Sequence, residues 1–223
     1  MAAQVDVFNM ALARCGVFNA PNNTFATVQD VKEQTKEAMV CRLFYDMILD
    51  YVLMSAPWTF ATTRLLLTDK GTPPANWHYR YAYPSDCLNA RYITYPGLRN
   101  PREDMKIPFQ IGTDGTAREI YTDMETPELV YTARVVDLNL WGPMATSALA
   151  YRLGAEISTP LSLKPDVATN LMGGFYRELS IASAEMMNEG QGDVQPMSEL
   201  LAIRGLTGPL PPDGLTDQYG VLR

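Results

Sequence analysis

The middle of the chain constrains the fold most, because residues 58–140 carry short runs of β-prone residues separated by proline and glycine turn signals. We expect strands at 62–68, 79–83, 90–95, 106–111, 119–121 and 129–136. The connections between these runs are shorter than the dozen or so residues that a parallel crossover needs, so the spacing predicts antiparallel pairing. The Gly-Thr-Asp-Gly sequence at 112–115 should be a hairpin turn and not a phosphate-binding loop, since no helix follows it.

Helical periodicity precedes the strands. A short helix is predicted over residues 4–15 and ends at Gly16, because glycine is common just after a helix. A longer helix is predicted over residues 28–55 and is closed by Pro57. The apolar faces lie at Val5, Phe8, Ala11 and Leu12 in the short helix, and at Val40, Phe44, Met47, Ile48 and Tyr51 in the long one. Residues 1–57 should therefore supply the amino-terminal helices of a bundle.

Helical periodicity returns after the strands. One helix should begin at Pro143 and stop before Pro160. Another should begin near Pro165 and run to about residue 186, with a pattern weakened by Gly173 and Gly174. We interpret residues 141–189 as the carboxyl-terminal helices of an antiparallel bundle, and residues 58–140 as an inserted antiparallel β domain. The predicted class is therefore α+β.

The last segment, residues 190–223, is rich in glycine, proline and acidic residues, yet it carries spaced apolar side chains. These are Met197, Leu200, Leu201, Ile203, Leu206, Leu210, Leu215, Tyr219 and Leu222. Such a segment cannot bury itself, but it is too apolar for a simple linker. It is typical of an extended carboxyl-terminal arm that orders on a partner's surface. The alternative is a frayed terminus that packs on its own domain.

Composition excludes several classes of protein. With 47 % hydrophobic and 19 % charged residues, the chain has enough apolar surface to fold. A net charge of −7 opposes direct binding to nucleic acid phosphates. Cys15, Cys41 and Cys87 are widely spaced and odd in number, which favours small hydrophobic side chains in a reducing cytosol over disulfides or a zinc site. We expect neither a leader peptide nor a membrane helix.

Motifs for chemistry are scarce. The only histidine, His78, lies between Trp77 and Tyr79 in a predicted strand, which favours a packed or interfacial residue. Nucleotide-binding, zinc-protease and serine-hydrolase motifs are absent from the sequence. We therefore predict a non-enzymatic protein with no catalytic residue, cofactor or metal. The carboxylate pairs Glu119 with Asp123 and Glu33 with Glu37 leave a glycan hydrolase as an alternative, although the second pair alternates with lysines as a solvated face would.

Several segments, taken in order, carry a resemblance to a known family. They are Ala-Leu-Ala-Arg-Cys-Gly at 11–16, Asp-Tyr-Val-Leu-Met-Ser-Ala-Pro-Trp-Thr-Phe-Ala at 50–61, Trp-His-Tyr-Arg-Tyr-Ala-Tyr-Pro-Ser-Asp-Cys-Leu at 77–88, Leu-Val-Tyr-Thr-Ala-Arg-Val at 129–135, and Trp-Gly-Pro-Met-Ala-Thr-Ser-Ala-Leu-Ala-Tyr-Arg-Leu-Gly-Ala at 141–155. Over residues 1–187 the chain resembles the tail tubular A proteins, the head-to-tail adaptors of short-tailed bacteriophages.

The resemblance implies a structural virion protein. It implies a dodecameric ring that joins the portal protein to the tail nozzle protein and forms part of the channel for genome retention and ejection. Double-stranded DNA would pass without sequence-specific binding, and the ring would be assembled in the host bacterial cytoplasm without a membrane. The alternatives are a head-completion connector of a long-tailed phage, which is typically smaller and lacks so large a β insertion, and a virion-associated peptidoglycan hydrolase.

Two sets of residues are expected to matter for such a subunit. Within the arm, the hypothesis is that Leu206, Leu210, Tyr219 and Leu222 dock into portal crevices. Trp58, Phe60, Asp86 and Trp141 are expected at structural junctions. Trp58 would clamp the end of the long helix to the β domain, and Asp86 would cap a strand end before Cys87 turns inward. The acidic balance would repel DNA from the channel wall, unless it serves only solubility.

Overall fold

Helices precede and follow a series of antiparallel strands in the computed structural model, which describes residues 4–19, 24–98, 101, 105–161 and 163–189. The helices are α1 (Gln4–Cys15), α2 (Lys36–Ser55), α3 (Pro143–Ser158) and α4 (Pro165–Glu189). The predicted α+β class is confirmed. The arm residues 190–223, including Leu206, Leu210, Tyr219 and Leu222, lie outside the described residues.

The strands form two three-stranded sheets and one short ribbon. The ribbon pairs β1 (Phe18–Asn19) with β2 (Thr24–Phe25). The first sheet contains β3 (Thr62–Leu66), β5 (Cys87–Thr94) and β8 (Glu128–Ala133) in the order β3-β8-β5. The second contains β4 (Tyr79–Ala82), β6 (Phe109–Thr113) and β7 (Arg118–Thr122) in the order β4-β7-β6. All pairs in both sheets are antiparallel, so the six predicted strands and their direction are confirmed, with ends shifted by a few residues.

The hairpin between β6 and β7 turns where the sequence predicts. The Asp114 Oδ1 atom accepts hydrogen bonds from the Thr116 and Ala117 backbone N–H groups, both at 2.8 Å. An Asp that binds the backbone two and three residues ahead stabilises a turn locally. The Gly-Thr-Asp-Gly segment is therefore a hairpin turn.

Buried apolar residues form two separate cores. The helical core joins residues from all four helices with Trp58, Ala61, Leu138 and Trp141 from the connections between helices and strands. The β core takes residues from both sheets, among them Tyr81, Ile93, Ile120 and Leu129. Helix α3 is the centre of the helical core, because α1, α2 and α4 all pack against it.

Helix α1 has its predicted bounds. Phe8, Ala11 and Leu12 are buried, and Val5 is half-buried. Gly16 follows the helix with a φ of +70°, a left-handed conformation that glycine adopts without steric cost. The bounds of α1 are therefore determined by local sequence signals.

Helix α2 corrects two predictions. It begins at Lys36 and not at residue 28, because polar side chains bind the backbone of the preceding segment: the Asp30 carboxylate accepts from the Lys32 N–H and Thr35 caps the helix. The predicted apolar face is only partly correct: Ile48 is buried and Val40 and Phe44 pack against the core, but Met47 and Tyr51 are 56 % and 42 % exposed. The buried face instead consists of Ala38, Cys41, Tyr45, Ile48, Leu49, Val52 and Leu53.

Helices α3 and α4 begin at the predicted prolines, and α4 continues through Gly173 and Gly174. Within the described part of the chain, no helix combines the length and the apolar character needed to cross a membrane.

Candidate functional site

Three of the predicted junction residues come together in the helical core. The ring centroids of Trp58 and Phe60 are 5.7 Å apart, and those of Phe60 and Trp141 are 5.1 Å apart. The Trp58 Nε1–H donates to the Val52 carbonyl at 2.7 Å, and the Trp141 Nε1–H donates to the Val135 carbonyl at 3.2 Å. Both indoles are thus buried with a hydrogen-bond partner, as buried Trp side chains generally require.

The aromatic trio belongs to the helical core and not to the β core. Trp58 lies just after α2 and begins a 3-10 turn that leads into β3, while Trp141 follows the 3-10 turn before α3. The Trp58 side chain contacts Val52 of α2 and Phe60, and its role as a clamp between α2 and the β domain stays a prediction. The Trp58 backbone carbonyl accepts from the Thr62 side-chain hydroxyl of β3 at 2.6 Å.

A cavity of about 240 Å³ opens beside the trio. Its walls include Trp58, Phe60 and Trp141 together with Ala182 and Met186 of α4. Thr59 and Glu185 line the same cavity, so its walls are of mixed polarity and do not identify an occupant.

Two arginines that the sequence analysis missed join the first sheet to α2. Arg134, just after β8, donates from Nε to the Asp50 carboxylate at 2.6 Å and from Nη2 to Asp46 at 2.9 Å. Arg91 of β5 donates to the Ala56 carbonyl at the carboxyl end of α2, at 2.9 Å. The sequence places Asp46 and Asp50 one helical turn apart, but it does not indicate which cationic side chain binds them.

Asp86 lies apart from the aromatic trio. Its carboxylate accepts the Tyr131 hydroxyl at 3.1 Å, and its carbonyl accepts the Arg134 N–H at 2.8 Å. Burial, with the nearby Asp86 charge, raises the pKa of Tyr131 to about 12, so this hydroxyl stays a donor at neutral pH. Asp86 therefore positions β8 through Tyr131. The sequence predicted a cap at a strand end for this side chain, and the structure shows the tyrosine contact in its place.

The second sheet holds a buried carboxylate, Glu119, which is 1 % exposed. The Lys70 Nζ lies 2.8 Å from its Oε1, the Tyr121 hydroxyl donates to Oε2 at 2.9 Å, and Arg80 binds both oxygens. Asp114 lies 2.7 Å from the same Lys70 ammonium. The hydrogen bonds from Arg80, with those from Lys70 and Tyr121, hold the pKa of Glu119 below its usual range.

This environment does not fit the hydrolase alternative. A general acid needs a carboxyl group whose pKa is raised, whereas Glu119 is held ionised. Its suggested partner, Asp123, lies four residues after Glu119, which corresponds to about 13 Å of extended backbone. This separation is larger than the distance between the two catalytic carboxylates of glycosidases. Asp123 instead binds His78.

His78 is exposed and not packed, which corrects that part of its prediction. Its ring Nδ1 lies 2.8 Å from the Asp123 Oδ1, and the two side chains are 80 % and 57 % exposed. The hydrogen bond from His78 lowers the pKa of Asp123. The pair is a surface contact beside β4.

The three cysteines are buried thiols without a disulfide. Burial raises the pKa of Cys15 to about 11 and that of Cys41 to about 12. Among the described residues no group of three or more His, Cys, Asp or Glu side chains could hold a metal ion.

The most unusual surface is the outward side of α2, which we call the α2 outer face. It consists of Met39, Leu43, Met47, Tyr51 and Met54, which are between 42 % and 74 % exposed. Their spacing of four, four, four and three residues forms one row along the helix. A row of large exposed apolar side chains indicates a contact with another molecule. The sequence of α2 carries apolar residues on both sides of the helix. This pattern could have predicted the α2 outer face.

No protein-family model matches the sequence, and no curated protein matches it closely enough to indicate a relationship.

Proposed function

We propose that this protein is a structural subunit of a short-tailed phage virion, a head-to-tail adaptor that forms a ring between the portal and the tail nozzle. The observation that carries the proposal is the α2 outer face. A helix that already buries one apolar face in its own core gains nothing from a second one unless a partner covers it. The resemblance in residues 1–187 supplies the class of assembly in which such a surface is needed.

The order of elements supports the finer interpretation of the fold. Helices on both sides of the strands in sequence share a single core, and the strands between them have a core of their own. These two cores support the interpretation of the helices as an antiparallel bundle and of the strands as an inserted β domain, and the proposal adds residues 190–223 as a carboxyl-terminal arm. Each unit of the ring would present the bundle to its neighbours and the β domain to the nozzle.

The charge of the chain suits a channel for DNA. With a net charge of −7, the wall of a ring repels the phosphates of the passing genome and avoids contacts that would slow ejection. The ring would hold double-stranded DNA by enclosure and not by recognition of bases. Assembly takes place in the host cytoplasm, and the mature location is the portal–tail junction of the virion.

The test is to mix the purified protein with capsids that carry a portal vertex and to image the vertices with rotational averaging. A ring added below the portal is the expected result. Vertices that stay bare contradict the proposal, and cleavage of peptidoglycan by the same preparation would favour the hydrolase. Binding to heads of a long-tailed phage instead would favour a head-completion connector.

The arm provides a second test of the same function. A chain ending at Glu189 retains the compact unit formed by residues 1–189. We expect it to fold and to lose its attachment to the portal vertex, because Leu206, Leu210, Tyr219 and Leu222 are the proposed contacts. Attachment equal to that of the full chain would refute the role of the arm.

A further inference from the structure

The α2 outer face requires an occupant, and the structure offers a matching surface on α4. There the outward row consists of Gly173, Arg177, Ser180 and Ala184, all exposed. Tyr176 and Ile181, which are 56 % and 42 % exposed, lie on either side of this row. Apart from Arg177, the row has small side chains where the α2 outer face has large ones, so the ridge of one helix can enter the groove beside Gly173, Ser180 and Ala184 of the other.

Both rows lie on helices that use their opposite sides to pack on α3. Most of each surface therefore lies outside the core of its own subunit. Tyr51, at the edge of the α2 outer face, also contacts that core, since its ring lies 6.1 Å from the Phe175 ring. At 1.5 Å per residue, the α2 outer face from Met39 to Met54 is about 22 Å long, and the α4 row from Gly173 to Ala184 is about 17 Å long.

Charge decides which surfaces meet. Asp46 and Asp50 border the α2 outer face, and Asp46 is 77 % exposed. Both pair with Arg134, and the exposed Asp46 carboxylate remains open to a second cation from another molecule. Arg177, in the α4 row, supplies the complementary positive charge.

A symmetric contact of α2 with α2 is disfavoured by the same charges. Residue 46 lies at the middle of a face that runs from Met39 to Met54. In an antiparallel twofold contact centred on this face, Asp46 of one copy would lie beside Asp46 of the other, and like charges at close range oppose association.

We propose that the α2 outer face of one copy packs against the outward row of α4 on the next copy, with Asp46 facing Arg177. This is a contact between two different surfaces, so repetition generates a ring when the rotation closes and an open filament when it does not. The closure of repeated copies into an adaptor ring rests on the proposed function. The contact between α2 and α4 does not depend on it.

Cysteine pairs test the contact directly. The double variant Met47→Cys with Ser180→Cys should form a ladder of disulfide-linked copies under mild oxidation. Met47→Cys alone should not form such a ladder. The native thiols are buried, so they contribute little background. The matched control, Ile111→Cys with Ser180→Cys, places its first thiol on β6, where Ile111 is 44 % exposed, and should not crosslink.

Sedimentation over a wide concentration range measures the strength of the contact. Leu43→Glu and Arg177→Glu should each weaken self-association about tenfold or more, since desolvated interface residues commonly contribute that much. Ile111→Glu should leave it unchanged. The charge exchange of Asp46→Arg with Arg177→Glu should recover most of the loss caused by either change, which general damage to the fold would not do.

The outcomes separate the contact from the proposed function. Closed rings that tolerate Leu43→Glu and Arg177→Glu would overturn the contact and leave the adaptor proposal standing. Open chains that depend on these residues would support the contact and contradict the adaptor. A protein that stays monomeric and shows no crosslinks, or one in which Met47→Cys links only to itself, would overturn the contact.

Discussion

The ring of Tyr151 on α3 lies so close to Gly174 on α4 that a Cβ atom at position 174 would come within 2.6 Å of the Tyr151 Cε1 atom. The ring has little room to move away, because the Arg14 guanidinium of α1 lies over it at 3.8 Å from its centroid. Arg14 is itself held by the Ser147 carbonyl and hydroxyl, both at 2.8 Å. Three helices therefore meet at one tyrosine, and Gly174 allows α4 to approach.

The neighbouring glycine gives a matched comparison of stability. Gly174→Ala should destabilise the protein by about 1–3 kcal/mol, since the added methyl group overpacks the contact with Tyr151. Gly173→Ala should stabilise it by about 0.5–1 kcal/mol, because nothing lies within 4 Å of a Cβ there and alanine favours the helix. Urea unfolding followed by circular dichroism measures both. Equal stability of the two variants would contradict the packing of α3 on α4.

The Glu119 carboxylate should make stability depend on pH. Its pKa is lowered in the folded state, so the stabilisation is fully present above the ordinary pKa of Glu, about 4.3, and is lost as the pH falls through the lower folded value. Glu119→Gln should remove this part of the pH dependence of stability, and it should lower the unfolding midpoint at neutral pH. Thermal unfolding across the acid range measures it.

Asp123→Asn is the control for that experiment. Asp123, just after β7, also has a lowered pKa, but it binds His78 at the surface, where such a contact contributes little to stability. A loss of stability at neutral pH as large as that of Glu119→Gln would show that burial of Glu119 is not the cause.

The indole of Trp58 should contribute through its hydrogen bond as well as its volume. Trp58→Phe leaves the buried Val52 carbonyl without its donor and should cost about 1–3 kcal/mol of unfolding free energy. Trp77→Phe is matched in chemistry, but Trp77 donates at the surface to Gln110, so it should change stability by less than about 0.5 kcal/mol. Chemical denaturation that ranks them in the reverse order would contradict the buried role of Trp58.

The thiols should be unreactive in the folded protein. Burial raises the pKa of Cys15 to about 11 and of Cys41 to about 12, so neither forms the reactive thiolate at mildly alkaline pH. A thiol reagent should label no cysteine quickly under native conditions and all three after denaturation. Burial also raises the pKa of Cys87, but a hydrogen bond with the Tyr83 hydroxyl partly offsets this rise, so Cys87 should react first. Fast labelling of Cys41 in the native protein would contradict its position in the core.

Much of the fold could be predicted because its signals are local. Gly16, Pro57 and Pro143 determine helix ends through the backbone conformations that they permit, and Asp114 determines a hairpin through its own neighbours. The early start predicted for α2 was wrong for a local reason too: Asp30 and Thr35 favour turns and caps over helix interiors.

The site could be predicted only in part. Trp58, Phe60 and Trp141 were identified as junction residues and do meet, whereas Arg91 and Arg134 were missed although they join the first sheet to α2. Arg134 and Asp50 are 84 positions apart, and no local pattern reports a contact over such a distance.

The sequence by itself determined the class of the fold, the helices and strands and most of their ends, since these depend on conformational preferences over a few residues. Tertiary structure decided which side of α2 is buried. Both sides of that helix are apolar, and packing on α3 selected the side with Cys41, Ile48 and Val52 and left Met39, Leu43 and Met47 outside. Periodicity can show that a helix has an apolar face, but only the shape of the neighbouring elements determines which face they cover.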